Sequence, residues 1–262
     1  MNASVSAKLR DGSVLLGRVS EQTTDSVQIT TINGRFVIAR SAITELRLLD
    51  AREVQDGTYW PPDPQDTRLF FGPTGRTLAA GTGYVSDTYI FLFNGAVGIT
   101  DRIMIAAGLS ALPLPDFLRN NVFYLAPKIA LVRGDSFNLA VGAMIGSTGG
   151  TPSSASLYYL AATNGVPDAS FTYGLGYASA AASVHNASFL MLGGNKRVAR
   201  KLSLMTENYV FLFRHELTWA PVYGVRFIGD RLSTDVGFVN YLGHNANPVF
   251  PGVPWLGFAL KF

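Results

Sequence analysis

The sequence contains no cysteine, so a disulfide scaffold is excluded. Charge is scarce as well. Only 15% of the 262 residues are Asp, Glu, Lys or Arg, against about 25% in an ordinary soluble domain. With 12% aromatics, that composition excludes a disordered chain and a coiled coil. Dense Lys/Arg runs are missing although the net charge is +3, so no nucleic-acid partner is expected. An apolar leader is missing too: Met1-Asn2-Ala3-Ser4 leads straight towards charged residues. The expectation is a mature form whose leader was removed and a Met added. Finally, no apolar helix of membrane length is present. The uncharged stretch Phe137–Pro167 is long enough to be one. However, it holds Gly142, Gly146, Gly149, Gly150, Pro152 and four serines, and its apolar residues alternate.

The charge that is present is unevenly placed. Residues 1–66 carry 16 charged residues, whereas residues 67–262 carry 23 in nearly three times the length. The shift falls near Tyr59-Trp60-Pro61-Pro62-Asp63-Pro64, whose prolines read as an extended linker. Three regions are therefore expected: a small β-domain over 1–58, a Pro-rich linker over 59–66, and a large β-domain over 67–262.

The large domain alternates with period 2, which signals strands. In Phe171-Thr172-Tyr173-Gly174-Leu175-Gly176-Tyr177 one face is aromatic or aliphatic and the other is Thr or Gly. Phe137–Ile145, Ile103–Leu109 and Leu232–Phe238 behave alike. A soluble sandwich would carry Lys, Glu and Arg on its second face. Large apolar residues outward with small or polar ones inward is instead the transmembrane-barrel pattern. Turns recur at Asp101, Asp135, Asp168, Arg200 and Asp230, about one hairpin apart. Twelve strands are expected, near 67–76, 84–99, 103–112, 121–132, 137–146, 155–164, 171–181, 187–197, 202–212, 217–228, 232–242 and 252–262. Connections after even-numbered strands are then short and most of the others longer, as in outer-membrane barrels. The predicted fold class is all-β: an antiparallel up-and-down barrel of about twelve strands plus a five-stranded N-terminal β-domain.

The chain ends Trp255-Leu256-Gly257-Phe258-Ala259-Leu260-Lys261-Phe262. This resembles the assembly signal of bacterial outer-membrane barrels, matched by Gly257, Leu260 and the terminal Phe262. Trp255 departs from it, standing where a polar residue is usual. Arg68–Arg76, Phe123–Lys128 and Thr206–Tyr209 are similar to segments of an uncharacterised group of bacterial barrel proteins. The resemblance implies the outer-membrane bilayer and the barrel-assembly machinery as partners. In the N-terminal region, Leu9-Arg10-Asp11-Gly12-Ser13-Val14-Leu15-Leu16-Gly17-Arg18-Val19 resembles the first motif of Sm-like small barrels. Asp11-Gly12 supplies a tight turn and Gly17 a bend. Ile38-Ala39-Arg40-Ser41 lacks the basic-residue–Gly pair of their second motif. An adaptor or plug-like role, in the periplasm and towards an unknown partner, is expected in place of RNA binding.

Inward-facing charges are expected at Lys128, Glu207, Arg226, Asp235 and Lys261. They read either as a constriction that selects solutes by charge or as an ion-pair network that plugs a narrow barrel. If Asp230 and Arg231 are the centre of a hairpin turn, Arg226 and Asp235 face each other on the lumen side. Pro73, Pro127 and the strand around Glu207 are expected to be bulged. His185, His215 and His244 fall at the external ends of adjacent hairpins, where they would form a shared site or merely repeat the hairpin period. No catalytic residue, metal ligand or cofactor is assigned. The expected function is an outer-membrane barrel with a pore-type or structural role. The alternatives are an outer-membrane enzyme acting on lipid or peptide at the external rim, and a soluble β-protein.

Overall fold

Period-2 patterning becomes antiparallel pairing along nearly the whole chain. The computed structural model describes residues 4–49, 53–55, 58–148, 154–180, 186–213, 216–243 and 250–262. They divide into two units, Met1–Pro62 and Asp63–Phe262.

The first unit holds β1 (Ser4–Leu9), β2 (Val14–Gln22), β3 (Ser26–Thr31), β4 (Gly34–Ala39) and β5 (Ile43–Leu48). The strands expected from the sequence, Val5–Arg10, Val14–Glu21, Ser26–Thr31, Arg35–Ala39 and Ile43–Leu49, each agree with these to within one residue at either end. They form one sheet in the order β4-β3-β2-β1-β5. Val5, Ala7, Val27, Ile29 and Ile38 make its core. A Cβ on Gly17 would stand 2.4 Å from the Thr30 carbonyl oxygen, so β2 meets β3 at a separation that only glycine permits. A short ladder of β6 (Val54–Gln55) and β7 (Thr58–Tyr59) follows.

The second unit is a closed barrel of twelve antiparallel strands. In order they are β8 (Gly83–Thr88), β9 (Leu92–Gly98), β10 (Ile103–Ser110), β11 (Val122–Arg133), β12 (Phe137–Thr148) and β13 (Ser154–Val166). The second half is β14 (Ala169–Ala180), β15 (Ala187–Ala199), β16 (Leu202–Phe213), β17 (Glu216–Ile228), β18 (Leu232–Val239) and β19 (Val253–Lys261). Each pairs with its sequence neighbours, and β19 pairs with β8 to close the ring. Closure leaves no unpaired sheet edge. Beyond the last strand, Phe262 donates to the Gly83 carbonyl at 2.9 Å, and Gly83 donates back at 3.1 Å.

The strand count matches expectation, but two assignments do not. Residues 67–76 are not a wall strand. Instead, the expected strand over 84–99 is a hairpin, β8 and β9, turning at Tyr89-Ile90-Phe91. Tyr89 and Ile90 sit at φ 58° and 68°, a left-handed region normally left to Gly, Asn or Asp. The turn therefore carries no sequence signal. Its closure comes from across the seam: the Tyr89 N–H donates to Leu256 O at 3.0 Å, and its hydroxyl to Pro254 O at 2.7 Å.

One end of the barrel carries only short turns, at 99–102, 134–136, 167–168, 200–201 and 229–231. The other end holds the connection 111–121, the brief turn 89–91, and the described stretches 240–243 and 250–252 between β18 and β19. Pro127 pairs in register with Ile105, so the expected bulge is not there. The shift in that strand lies between Ala130 and Val132. Around Glu207 the pairing to both neighbours is unbroken.

Candidate functional site in the barrel lumen

Alternation sorts each barrel strand into two faces. Outward, the residues are large and apolar: Leu175 is 61% exposed, Leu217 67% and Phe171 52%. Val85, Ile105, Leu125, Val141, Leu160, Leu190, Leu204, Val236 and Leu260 continue this belt round the ring. Inward, the residues are small or polar: Thr163, Thr172, Ser203, Ser233, Lys128, Glu207, Arg226 and Asp235 are all buried.

What buries them is the chain's own segment 63–82, folded inside the lumen. Its tip is a tight turn in which the Leu69 N–H donates to Gly72 O at 2.9 Å. Below the tip, the Thr74 N–H donates to Thr67 O at 3.0 Å. Each face of this small hairpin is held by a different part of the wall, because its backbone groups have no water to bond. The expected linker therefore ends before Asp63, and Asp63 and Gln65 belong to the lumen.

The wall charges supply most of those bonds. Arg226 in β17 donates from Nε to Asp235 Oδ1 at 2.6 Å and from Nη2 to Asp235 Oδ2 at 2.9 Å. It also donates to Asp63 Oδ2 at 2.9 Å and to the carbonyls of Gln65 and Leu69 at 3.2 and 2.8 Å. One guanidinium thus joins two wall strands to two turns of the hairpin. Glu207 in β16 accepts from the Phe71 and Gly72 N–H groups at 3.0 and 2.9 Å. Lys128 in β11 donates to Thr67 O at 2.8 Å and Thr74 O at 3.2 Å. On the remaining side, the Gly75 N–H donates to the Thr163 hydroxyl at 2.8 Å. Arg76 donates to Gly165 O at 2.9 Å.

Lys261 lies at the short-turn end of β19, half-buried, and joins none of these contacts. Gly257 faces Asp235 across the β18–β19 ladder. Leu260 and Phe262 point outward, 49% and 65% exposed. Trp255 is on the inward face. Its ring meets Phe70 of the hairpin edge-on, with centroids 6.0 Å apart. The residue that departs from the assembly signal is thus a packing partner of the segment in the lumen.

The exit of the hairpin is clamped at a turn outside the wall strands. Asp101 accepts from the Ala80 N–H at 3.0 Å, and Thr77 donates to its carbonyl at 2.8 Å. The Ala80 N–H, and next to it Arg133, hold the Asp101 carboxyl below the usual carboxylate range.

Sequence reasoning named the wall charges but missed the segment that meets them, in which Asp63, Gln65 and Leu69 face Arg226, Phe71 and Gly72 face Glu207, and Thr67 and Thr74 face Lys128. The available signal was the Gly72-Pro73 pair, a turn mark inside a supposed strand. His185, His215 and His244 all lie outside the described residues. Among the described residues, no cluster of His, Asp and Glu has metal-site spacing.

No family model and no curated protein matches the sequence. Among solved structures, the KdgM porin is 9% identical, covering 69% of this chain and 98% of that one, with a TM-score of 0.47. Outer-membrane expressed OmpT of Vibrio cholerae is 14% identical over 99% and 95% of the two chains, with a TM-score of 0.39. Salmonella typhi OmpF in complex with daunomycin is 8% identical over 100% and 96%, with a TM-score of 0.37.

Proposed function

We propose that the chain is an outer-membrane barrel whose lumen is closed at rest by its own segment 63–82, serving as a scaffold or gated barrel and not as a standing open pore. The observation that carries this reading is the fate of the lumen charges. Lys128, Glu207, Arg226 and Asp235 are engaged by the hairpin and by one another, so they do not line a free aqueous path. A selective constriction needs charged groups that face passing solute.

The membrane assignment rests on the outward belt. Soluble monomers rarely expose contiguous apolar patches beyond a few hundred Å², and this belt encircles the ring. A closed antiparallel barrel satisfies its backbone internally, as hydrocarbon requires. This weighs against the soluble alternative. In this reading the short-turn end faces the periplasm. The N-terminal unit then lies in the periplasm as an adaptor of Sm-like type for a further partner. Gly257, Leu260 and Phe262 serve the barrel-assembly machinery.

Two measurements test it. Unboiled and boiled samples should migrate differently on a denaturing gel, because a closed barrel resists detergent. Purified protein in planar bilayers should be electrically silent, with Glu207→Ala raising the frequency of openings by freeing the hairpin tip. Equal mobility would defeat the membrane reading; a steady ohmic current from the unaltered protein would defeat the closed one.

A further inference from the structure

Beyond the hairpin tip the lumen keeps a cavity of about 110 Å³. That is room for several waters or for the head of a small organic molecule. Phe71 at the tip lines it and is 52% exposed, so solvent reaches it past the tip. Two kinds of surface meet there. Met104, Ala106, Ala126, Met144 and Leu157 make an apolar wall. Arg68, Lys128, Thr67, Asn94 and the rings of Tyr84, Tyr124 and Tyr159 make the polar side, and no carboxylate is among the lining residues.

The two cations differ in what they have left to offer. Lys128 is committed to two hairpin carbonyls. Arg68 donates from Nε to Gln65 Oε1 at 2.7 Å, and its guanidinium carbon stands 5.8 Å from the centre of the Tyr84 ring. Its two terminal nitrogens have no acceptor among the described residues. The side chain is therefore oriented at its base and open at its fork, the arrangement that receives a planar carboxylate. Two of the lining residues also carry buried polar atoms without partners: Thr67 Oγ1, on a residue 2% exposed, and Asn94 Oδ1. Such atoms are costly unless something bonds them.

We propose that this cavity is a binding site for a small carboxylate with an apolar or aromatic body. The carboxylate meets the Arg68 fork, and the body lies against Met104, Met144 and Leu157. The inference rests on the closed lumen of the proposed function, since the hairpin supplies Arg68 and the floor. It is therefore read by binding and not by current.

The test uses the full chain in lipid nanodiscs, with saturation-transfer NMR on benzoate, on benzyl alcohol and on inorganic phosphate. Benzoate is expected to bind saturably, and the alcohol and phosphate to bind far more weakly. Arg68→Gln should weaken benzoate roughly tenfold, the scale of one lost charge-assisted contact. Met144→Glu, on the wall away from the hairpin, should weaken it by placing a negative charge opposite. Both variants should keep the heat-dependent gel mobility of the parent. No saturable benzoate binding would overturn the proposal, as would equal affinity for the neutral alcohol or an unchanged affinity in Arg68→Gln. Binding without silence in planar bilayers would leave the site standing and sink the closed-barrel reading alone.

Discussion

Arg226 and Asp235 stand directly opposite each other across the β17–β18 ladder, joined by two hydrogen bonds of 2.6 and 2.9 Å. The register expected from the Asp230-Arg231 turn places them there. What the turn does not reveal is the third partner, Asp63, 2.9 Å away on the same guanidinium. An isolated pair would make Asp235→Ala worse than removal of both charges. With Asp63 present the order changes. Asp235→Ala leaves Arg226 one carboxylate, so a cost of about 1–3 kcal/mol is expected. Arg226→Met strands two buried carboxylates and should cost about 3–5 kcal/mol. Urea unfolding of the refolded protein in detergent measures both. Equal losses would mean that Asp63 does not share the guanidinium.

Gly75 is seated where a Cβ would lie 2.3 Å from the Asn138 carbonyl oxygen. Backbone cannot yield as a flexible side chain can. Gly75→Val should therefore unseat the hairpin while the wall, which pairs without it, still closes. The expected signature is retained heat-dependent mobility with new protease cuts inside 63–82. A variant as resistant as the parent would show that the hairpin tolerates the added volume.

Phe262 contributes twice, by backbone bonds to Gly83 and by an exposed ring. Phe262→Ala keeps the first and removes the second. If the ring is read by the assembly machinery, insertion in cells should fall sharply while refolding in detergent scarcely changes. Parallel loss in both assays would reduce the residue to packing.

Asp101 gives a pH dependence with a defined sign. Its folded carboxyl titrates below the ordinary range because the Ala80 N–H and Arg133 favour the charged form. Its stabilisation is thus present above the ordinary carboxylate pKa, about 3.9, and is lost as pH falls through the lowered value. The urea midpoint should drop between pH 6 and pH 3 by more in the parent than in Asp101→Asn. An identical drop would assign the acid sensitivity elsewhere.

The strand pattern was legible because the two faces of the wall meet different surroundings. Phe171, Tyr173 and Leu175 are large and outward, while Thr172 and Gly174 are small and inward, so alternation alone reports the barrel. The Arg226–Asp235 register followed from one turn and a period of two. The N-terminal strands were equally local. The hairpin inside the lumen was not legible. Arg68 to Arg76 carries the same short apolar pattern as a wall strand, and a lumen filled with protein buries Leu69 and Phe70 as well as a sheet would. Its position is decided by Glu207, Lys128, Arg226 and Thr163, residues far away in sequence. The turn at Tyr89-Ile90 was hidden for a related reason: bonds from Pro254 and Leu256 across the barrel seam hold it, so local turn chemistry leaves no mark. Composition and periodicity determined that the chain closes into a ring. Which segment completes the wall and which fills the lumen was settled by long-range hydrogen bonds, because backbone groups shut away from water must find partners wherever the closed ring presents them.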